Sequence, residues 1–400
     1  MPDRCAARRE GLLTAALELD PQSSDEYLAV AMASAFLKGD FPDYLANLEK
    51  ALKVDPDNLM AHVASGWWNL NALGQPRQAL PHFQRVVELD PLDFRTRGGL
   101  VITLIYMGEC DEAADSLTSM TELAPNHPRT YWGWGLVDYF CRRDLAESLR
   151  QFRKALVLNP TAPSRWIDQV RSYLELGDVA AAERIAARSP DRSGFFGLLS
   201  DFDIAQYRSD LSLQADISRA VAEVAFAAPG LSSIGDLSWL LALQRTDSTR
   251  AMATYERFSP ELLRDDPFVF YNNHGRAISL AVLHQAKGDE QAAGILLAKT
   301  LQALDTVESV YVPPARVAIY AIQGDVDRAL GQLRKLVDAG WRGGWWRLER
   351  EPIYEPLWGE PEFQALMDKI RADMATQLER VREMERNGEL EPIPELAATP

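Results

Sequence analysis

The sequence lacks the residue patterns on which most enzymes and metalloproteins depend. Its five histidines and three cysteines do not fall at metal-ligand spacings, and it contains no HExxH zinc motif, no glycine-rich phosphate loop and no GxSxG nucleophile elbow. Three cysteines are also too few for a disulfide framework. We therefore expect a protein that is not an enzyme and that uses no cofactor and no metal.

Positive charge and long apolar runs are scarce as well. The 42 lysine and arginine residues are outnumbered by 58 aspartate and glutamate residues, which gives a net charge of −16. Phosphate contacts need clustered basic residues, so we expect no nucleic-acid partner, and an anionic membrane surface is disfavoured for the same reason. No apolar run approaches the roughly 18 residues of a membrane-spanning helix, and the first residues lack the apolar centre of a signal peptide. We expect a cytoplasmic protein, or a periplasmic one if the chain is the C-terminal part of a membrane-anchored regulator.

What the sequence does contain is a repeat of about 34 residues. A proline closes each unit, at steps of 35, 35, 34 and 35 residues, in Pro21, Pro56, Pro91, Pro125 and Pro160. A large apolar residue such as Phe83 or Phe152 stands eight positions before the closing proline, and a glycine such as Gly74 or Gly108 ends the first helix. Residues 21–160 therefore resemble four tetratricopeptide repeats. A fifth unit keeps the expected residues Trp166, Tyr173, Gly177 and Ala182.

The resemblance implies an all-α fold, a right-handed tetratricopeptide superhelix (α-solenoid) of helix–turn–helix repeats with a C-terminal capping helix. We expect five regions: an array of a half repeat plus about five repeats (1–190), degenerate helical repeats (191–275), further hairpins (276–340), a tryptophan-rich cap with a long helix (341–388) and a disordered tail (389–400). The long helix carries an apolar stripe, which makes residues 361–386 a candidate homodimer surface.

The first helix of each unit lines the inner side of such a superhelix, and its inward positions predict a groove for a protein or peptide partner. These positions hold Leu28, Met32, Phe36, Val63, Trp67, Leu70, Arg95, Ile102, Tyr106, Trp132, Leu136, Tyr139, Ile167 and Arg171. Aromatic side chains and arginine are frequent binding anchors. Alternatively, these residues pack against adjacent helices, or the chain's own tail fills the groove. The lysines and asparagines of a chaperone-type carboxylate clamp are replaced here, for example by Val63 and Gly98.

The last quarter of the chain carries a second resemblance. Its matching residues are Ala321, Gly324, Asp325, Ala329, Leu330, Gly340, Trp341, Glu351, Pro352, Pro356, Leu357, Glu360, Pro361, Phe363 and Leu366. They are similar to the C-terminal end of the tetratricopeptide regions of bacterial winged-helix transcription regulators and adenylate cyclases. This resemblance implies a protein-binding scaffold or a sensory region. The alternative function is a small-molecule or peptide sensor that regulates an attached signalling output domain.

Two clusters have more than one interpretation. Four tryptophans near the C-terminus are predicted to seal the open end of the superhelix, with stacking on a ring-shaped ligand as the alternative: Trp341, Trp345, Trp346 and Trp358. Cys110 and Cys141 fall at the turn edges of adjacent units and can approach each other. We interpret them as packing thiols, with a redox pair as the alternative.

Overall fold

The computed structural model of the protein describes residues 23–35, 40–227, 237–310 and 314–395. Within these ranges it consists of helices joined by turns, with no strand. In chain order the α-helices are α1 Ser24–Ala33, α2 Phe41–Val54, α3 Leu59–Trp67, α4 Pro76–Leu89, α5 Phe94–Met107, α6 Cys110–Leu123, α7 Pro128–Leu136, α8 Leu145–Leu158, α9 Pro163–Leu176, α10 Val179–Ala186, α11 Phe195–Tyr207, α12 Leu211–Ala227, α13 Leu237–Thr246, α14 Ser248–Phe258, α15 His274–Ala286, α16 Glu290–Asp305, α17 Ala315–Ile322, α18 Val326–Asp338 and α19 Pro361–Asn387. Short 3-10 helices cover Pro260–Leu263, Tyr271–Asn273, Trp345–Glu349 and Pro352–Leu357. The predicted all-α tetratricopeptide superhelix is confirmed.

Small and large residues interlock where the helices of the first units meet. The ring of Phe83 on α4 is fully buried and lies so close to Gly66 and Gly99 that a Cβ on either would come within 2.9 and 2.7 Å of it. Phe152 on α8 approaches Gly135 in the same way, at 2.4 Å from such a Cβ. Close packing of this kind leaves no room for one extra methyl group. The large apolar residues at the predicted spacing therefore join neighbouring units.

The turn inside each unit depends on the unit's length. In the 34-residue unit, α5 ends at Gly108, whose φ of 83° suits glycine. In the 35-residue units that begin at Pro56 and Pro125, the first helix continues into a wider π-helical turn, over Trp68–Ala72 and Val137–Arg142. Because a π turn contains one more residue than an α turn, it accommodates the extra residue of these units.

The C-terminal half of the chain folds back onto the N-terminal half. Phe270 stacks on Trp68 with ring centroids 5.8 Å apart, the Glu308 backbone N–H donates to the Gly74 carbonyl at 2.9 Å, and that of Val310 donates to the Tyr106 carbonyl at 2.9 Å. All three contacts fall where first helices end. The second half therefore lies along one edge of the first, so the chain is not an open solenoid in which each unit touches only its neighbours.

The tryptophan-rich segment packs inside the fold. Trp345 and Trp346 are buried, Trp341 and Trp358 are half-buried, and the Trp345 indole N–H donates to the Glu175 carbonyl at 2.9 Å. The segment thus covers the inner face of α9 and α11 instead of sealing one end of the array.

Helix α19 uses its predicted apolar stripe within the chain. Phe363, Met367, Ile370 and Val381 are buried, and the helix packs on α8, α9 and α18. Arg380 forms a 2.8 Å ion pair with Asp144 at the start of α8. This packing occupies the face on which the expected homodimer through 361–386 depends.

The expectation of a disordered tail is wrong for residues 389–395. Leu390 is buried, and Glu391 accepts from Lys154 at 2.6 Å with its carboxylate and from Arg153 at 2.8 Å with its carbonyl. The acidic Glu391 packs here because it pairs with basic groups on α8. Residues 396–400, and the half repeat expected over 6–19, lie outside the described residues.

Candidate functional site

The first helices of the units adjoin one another, α5 against α7 and α9 against α11. We call the inner face of α3, α5, α7 and α9 the groove. Asn58, Asp93 and His127 cap three of these helices by accepting a backbone N–H at their start, which fixes where each helix begins. The side chains that follow in the first two turns are thereby aligned from one unit to the next.

The predicted groove residues differ in exposure. Arg95 is exposed, whereas Val63, Leu70 and Ile167 are buried among the chain's own helices and serve as core. Half-buried positions, each with part of its surface open, are Leu28, Met32, Trp67, Ile102, Tyr106, Trp132, Leu136, Tyr139 and Arg171. Phe36 lies outside the described residues.

Three of the half-buried residues are held by the C-terminal half of the chain. Tyr106 accepts the Val310 backbone N–H through its carbonyl. The Tyr139 hydroxyl donates to the Glu175 carboxyl at 3.0 Å and lies against Gly343. Arg171 pairs with the fully buried Asp203 at 2.7 Å. The prediction that the side chains of Tyr139 and Arg171 face a partner is corrected, because the fold-back covers this end of the groove. The contact of Tyr106 is made by its backbone, so a partner-facing side chain stays a prediction there.

Buried charges join the tryptophan-rich segment to the array. Asp203 accepts from Arg171 on one oxygen and from Arg347 on the other, both at 2.7 Å. Nearby, Glu175 accepts from the Gly344 backbone N–H at 3.2 Å. Burial raises the pKa of Glu175 to about 7, although the hydrogen bonds from Tyr139 and Gly344 oppose this rise.

The other end of the groove is open and carries three arginines. Arg95 and Arg129 are the second residues of α5 and α7, and Arg165 is the third residue of α9. The guanidinium carbons of Arg129 and Arg165 lie 5.6 and 4.7 Å from the centroid of the Trp132 ring. The inward positions predicted from the repeat do not include Arg129 and Arg165. The sequence does carry a signal for Arg129, because Arg95 occupies the same helix position in the preceding unit.

Apolar residues rim this open end. Met60, the second residue of α3, is 47% exposed, Leu92 in the loop that precedes α5 is 69% exposed, and Leu123, the last residue of α6, is 52% exposed. Apolar surface that a monomer leaves uncovered near a groove is typical of interaction sites. The open end thus combines aromatic, aliphatic and cationic surface.

Cys110 and Cys141 form a disulfide, with Cα atoms 5.8 Å apart. The bond joins the first residue of α6 to the π turn that follows α7, and so fastens the third unit to the fourth. Our interpretation of these residues as packing thiols is wrong, because the π turn brings Cys141 next to α6. In the described part of the chain, no cluster of metal-binding side chains occurs and no helix is both long and apolar enough to cross a membrane.

No protein-family model matches the sequence, and no curated protein matches it. Among solved structures, the type IV pilus biogenesis factor PilW is 18% identical over 47% of this chain and 86% of its own, with a TM-score of 0.39. PilF of Pseudomonas aeruginosa is 19% identical over 60% of this chain and 97% of its own, at 0.35. The Cut9–Hcn1 complex is 13% identical over 90% of this chain and 62% of its own, at 0.48. Similarity at this level indicates neither a common family nor a common partner.

Proposed function

We propose that this protein is a protein-binding scaffold whose groove holds an extended segment of a partner protein, and that it acts by binding and not by catalysis. The observation that carries the proposal is the open end of the groove, where Arg95 and Arg129 lie at the starts of α5 and α7 and the Arg129 guanidinium lies over the Trp132 ring. Aromatic rings and arginines are the side chains that contribute most to protein interfaces. The closed end supports the same idea, because its buried ion pairs give the groove a rigid base.

The test is a double substitution of the two tryptophans, Trp67→Ala with Trp132→Ala. Each ring offers a large, rigid contact area, so we expect the affinity for a captured peptide or protein to fall at least about tenfold. Affinity measured by fluorescence polarisation, on ligands selected with the unmodified protein, gives the readout. Because Trp67 also packs on Phe83 with centroids 5.0 Å apart, circular dichroism and the melting temperature must accompany it.

Trp134→Ala is the matched control. Trp134 lies on the same helix as Trp132, but its indole N–H donates to Thr121 on α6, away from the groove. We expect this variant to bind like the unmodified protein. If the double variant keeps its helical spectrum and binds with unchanged affinity, the groove is not the binding site and the proposal fails.

We also infer that the protein works in an oxidising compartment, such as a periplasm. Disulfides persist in such compartments and are rare where thiols are kept reduced. The bond between Cys110 and Cys141 supports this location over the cytoplasmic one expected from the sequence. Thiol labelling of protein taken from its native cells tests it, because a cytoplasmic protein would expose both thiols once unfolded.

A further inference from the structure

Arg129 stands out at the open end of the groove because its charge has no partner there. Its neighbour Arg165 pairs with Asp168 at 3.2 Å, and Arg95 lies beside Asp93. Arg129 forms no salt bridge with any carboxylate in the described part of the chain, although it is half-buried. Three guanidinium groups therefore face two carboxylates, which leaves one uncompensated positive charge in this part of the groove.

The surroundings of Arg129 place it for contact with a ligand. Its side chain crosses α5 at Gly98, where a Cβ would come within 3.0 Å of the Arg129 Cδ, so a larger residue there would push the arginine aside. Trp132 supports its guanidinium from one side. A guanidinium that lies over an aromatic ring can keep the N–H donors at its edge free for a carboxylate.

The charge itself is unfavourable without an anion. Burial and the nearby positive charges of Arg165 and Arg95 lower the pKa of Arg129, and burial lowers the pKa of Arg165. A chain with a net charge of −16 has many carboxylates that could have neutralised this cluster, yet its described residues place only Asp93 and Asp168 here. An incoming carboxylate would remove the repulsion and regain charge-assisted hydrogen bonds.

We propose that Arg129, flanked by Arg95 and Arg165, is a subsite for an aspartate or glutamate side chain of the bound partner segment. The inference rests on the proposed scaffold function and specifies its ligand as an acidic peptide with apolar residues beside the acid. Those apolar residues would contact Trp67, Leu136 and the exposed rim. The subsite differs from a clamp for a chain-terminal carboxylate, since its arginines lie along the side of the groove and accept an internal residue.

A displayed library of random twelve-residue peptides, selected on the full-length protein, tests the inference. We expect the selected peptides to share an acidic residue next to aliphatic or aromatic ones. Replacing that residue by its amide should weaken binding to the unmodified protein about tenfold, which corresponds to one charge-assisted contact. On Arg129→Gln the acid and the amide should bind alike, and Arg129→Lys should restore part of the preference.

Arg150→Gln is the control for the same chemical change, because Arg150 is an exposed arginine on α8 that pairs with Glu147 outside the groove. It should leave the preference for the acid intact. Peptides that are selected but show no acidic residue, or that bind equally well as amides, would overturn the subsite and leave the scaffold function standing. Failure to select any peptide would count against both.

Discussion

At the scale of single residues, Glu175 makes the stability of the folded protein depend on pH. Its carboxyl is buried between Tyr139 and Gly344, and burial raises its pKa to about 7 from the ordinary value of 4.5. The folded protein therefore binds this proton more tightly than the unfolded chain does. It follows that the contribution of Glu175 to stability is full below about pH 4.5 and is lost as the pH rises to about 7.

We expect Glu175→Gln to remove this pH dependence. The amide oxygen can still accept from Tyr139 and Gly344, but it does not titrate. Between pH 5 and 7, approximately, the free energy of unfolding of the unmodified protein should fall relative to that of the variant, by at most about 1.4 kcal/mol per pH unit. Urea titrations at several pH values measure the difference, with Glu49→Gln, on the exposed side of α2, as the control. Parallel curves for Glu175→Gln and the unmodified protein would contradict the role assigned to Glu175.

At the scale of helices and turns, the Cys110–Cys141 disulfide should stabilise the third and fourth units. It closes a loop of 31 residues that contains α6 and α7. A loop of this length corresponds to about 3 to 4 kcal/mol in the chain-entropy description, with a wide range among real proteins. We expect Cys110→Ser with Cys141→Ser to lower the free energy of unfolding by about that amount.

Reduction provides an internal check on this value. A reductant should lower the denaturation midpoint of the unmodified protein to that of the double variant and should not affect the variant itself. Cys5→Ser is the control for the same chemical change at the remaining cysteine. A reductant effect that survives in the double variant would show that the bond is not its cause.

The helices could be predicted from the sequence more completely than the turns. Proline and glycine spacing located the paired helices of the first five units, because these residues act on the local backbone. The repeat predicts that Cys110 and Cys141 come close but not that they are bonded, since the bond depends on the π turn at 137–142 and one inserted residue does not reveal where a helix widens. The arginine cluster cannot be predicted from single inward positions, because it forms across three neighbouring helices.

At the scale of the whole molecule, the fold-back decides which part of the groove is open. Arg171 and Tyr139 satisfy every local criterion for groove residues, yet Arg347 and Gly343, far along the chain, lie against their side of the groove. The repeat pattern does not predict which unit the tryptophan-rich segment contacts. The same contacts join distant units, so we expect the molecule to unfold as one cooperative body and not unit by unit, as an open solenoid can.

Removal of everything after Gly340 tests this coupling. Trp345 and Trp346 would leave the inner face of α9 and α11, and Asp203 would lose one of its two arginines while still buried. The loss of two buried tryptophans alone corresponds to about 5 kcal/mol or more. We therefore expect a much lower denaturation midpoint, binding of a hydrophobic dye, and separate transitions by fluorescence and circular dichroism.

A chain that ends at Glu395 should behave like the full-length protein, because residues 389–395 keep their contacts with α8. If the chain ending at Gly340 unfolded at the same midpoint as the control, the fold-back would not hold the two halves together, and the closed end of the groove would have to be open in solution.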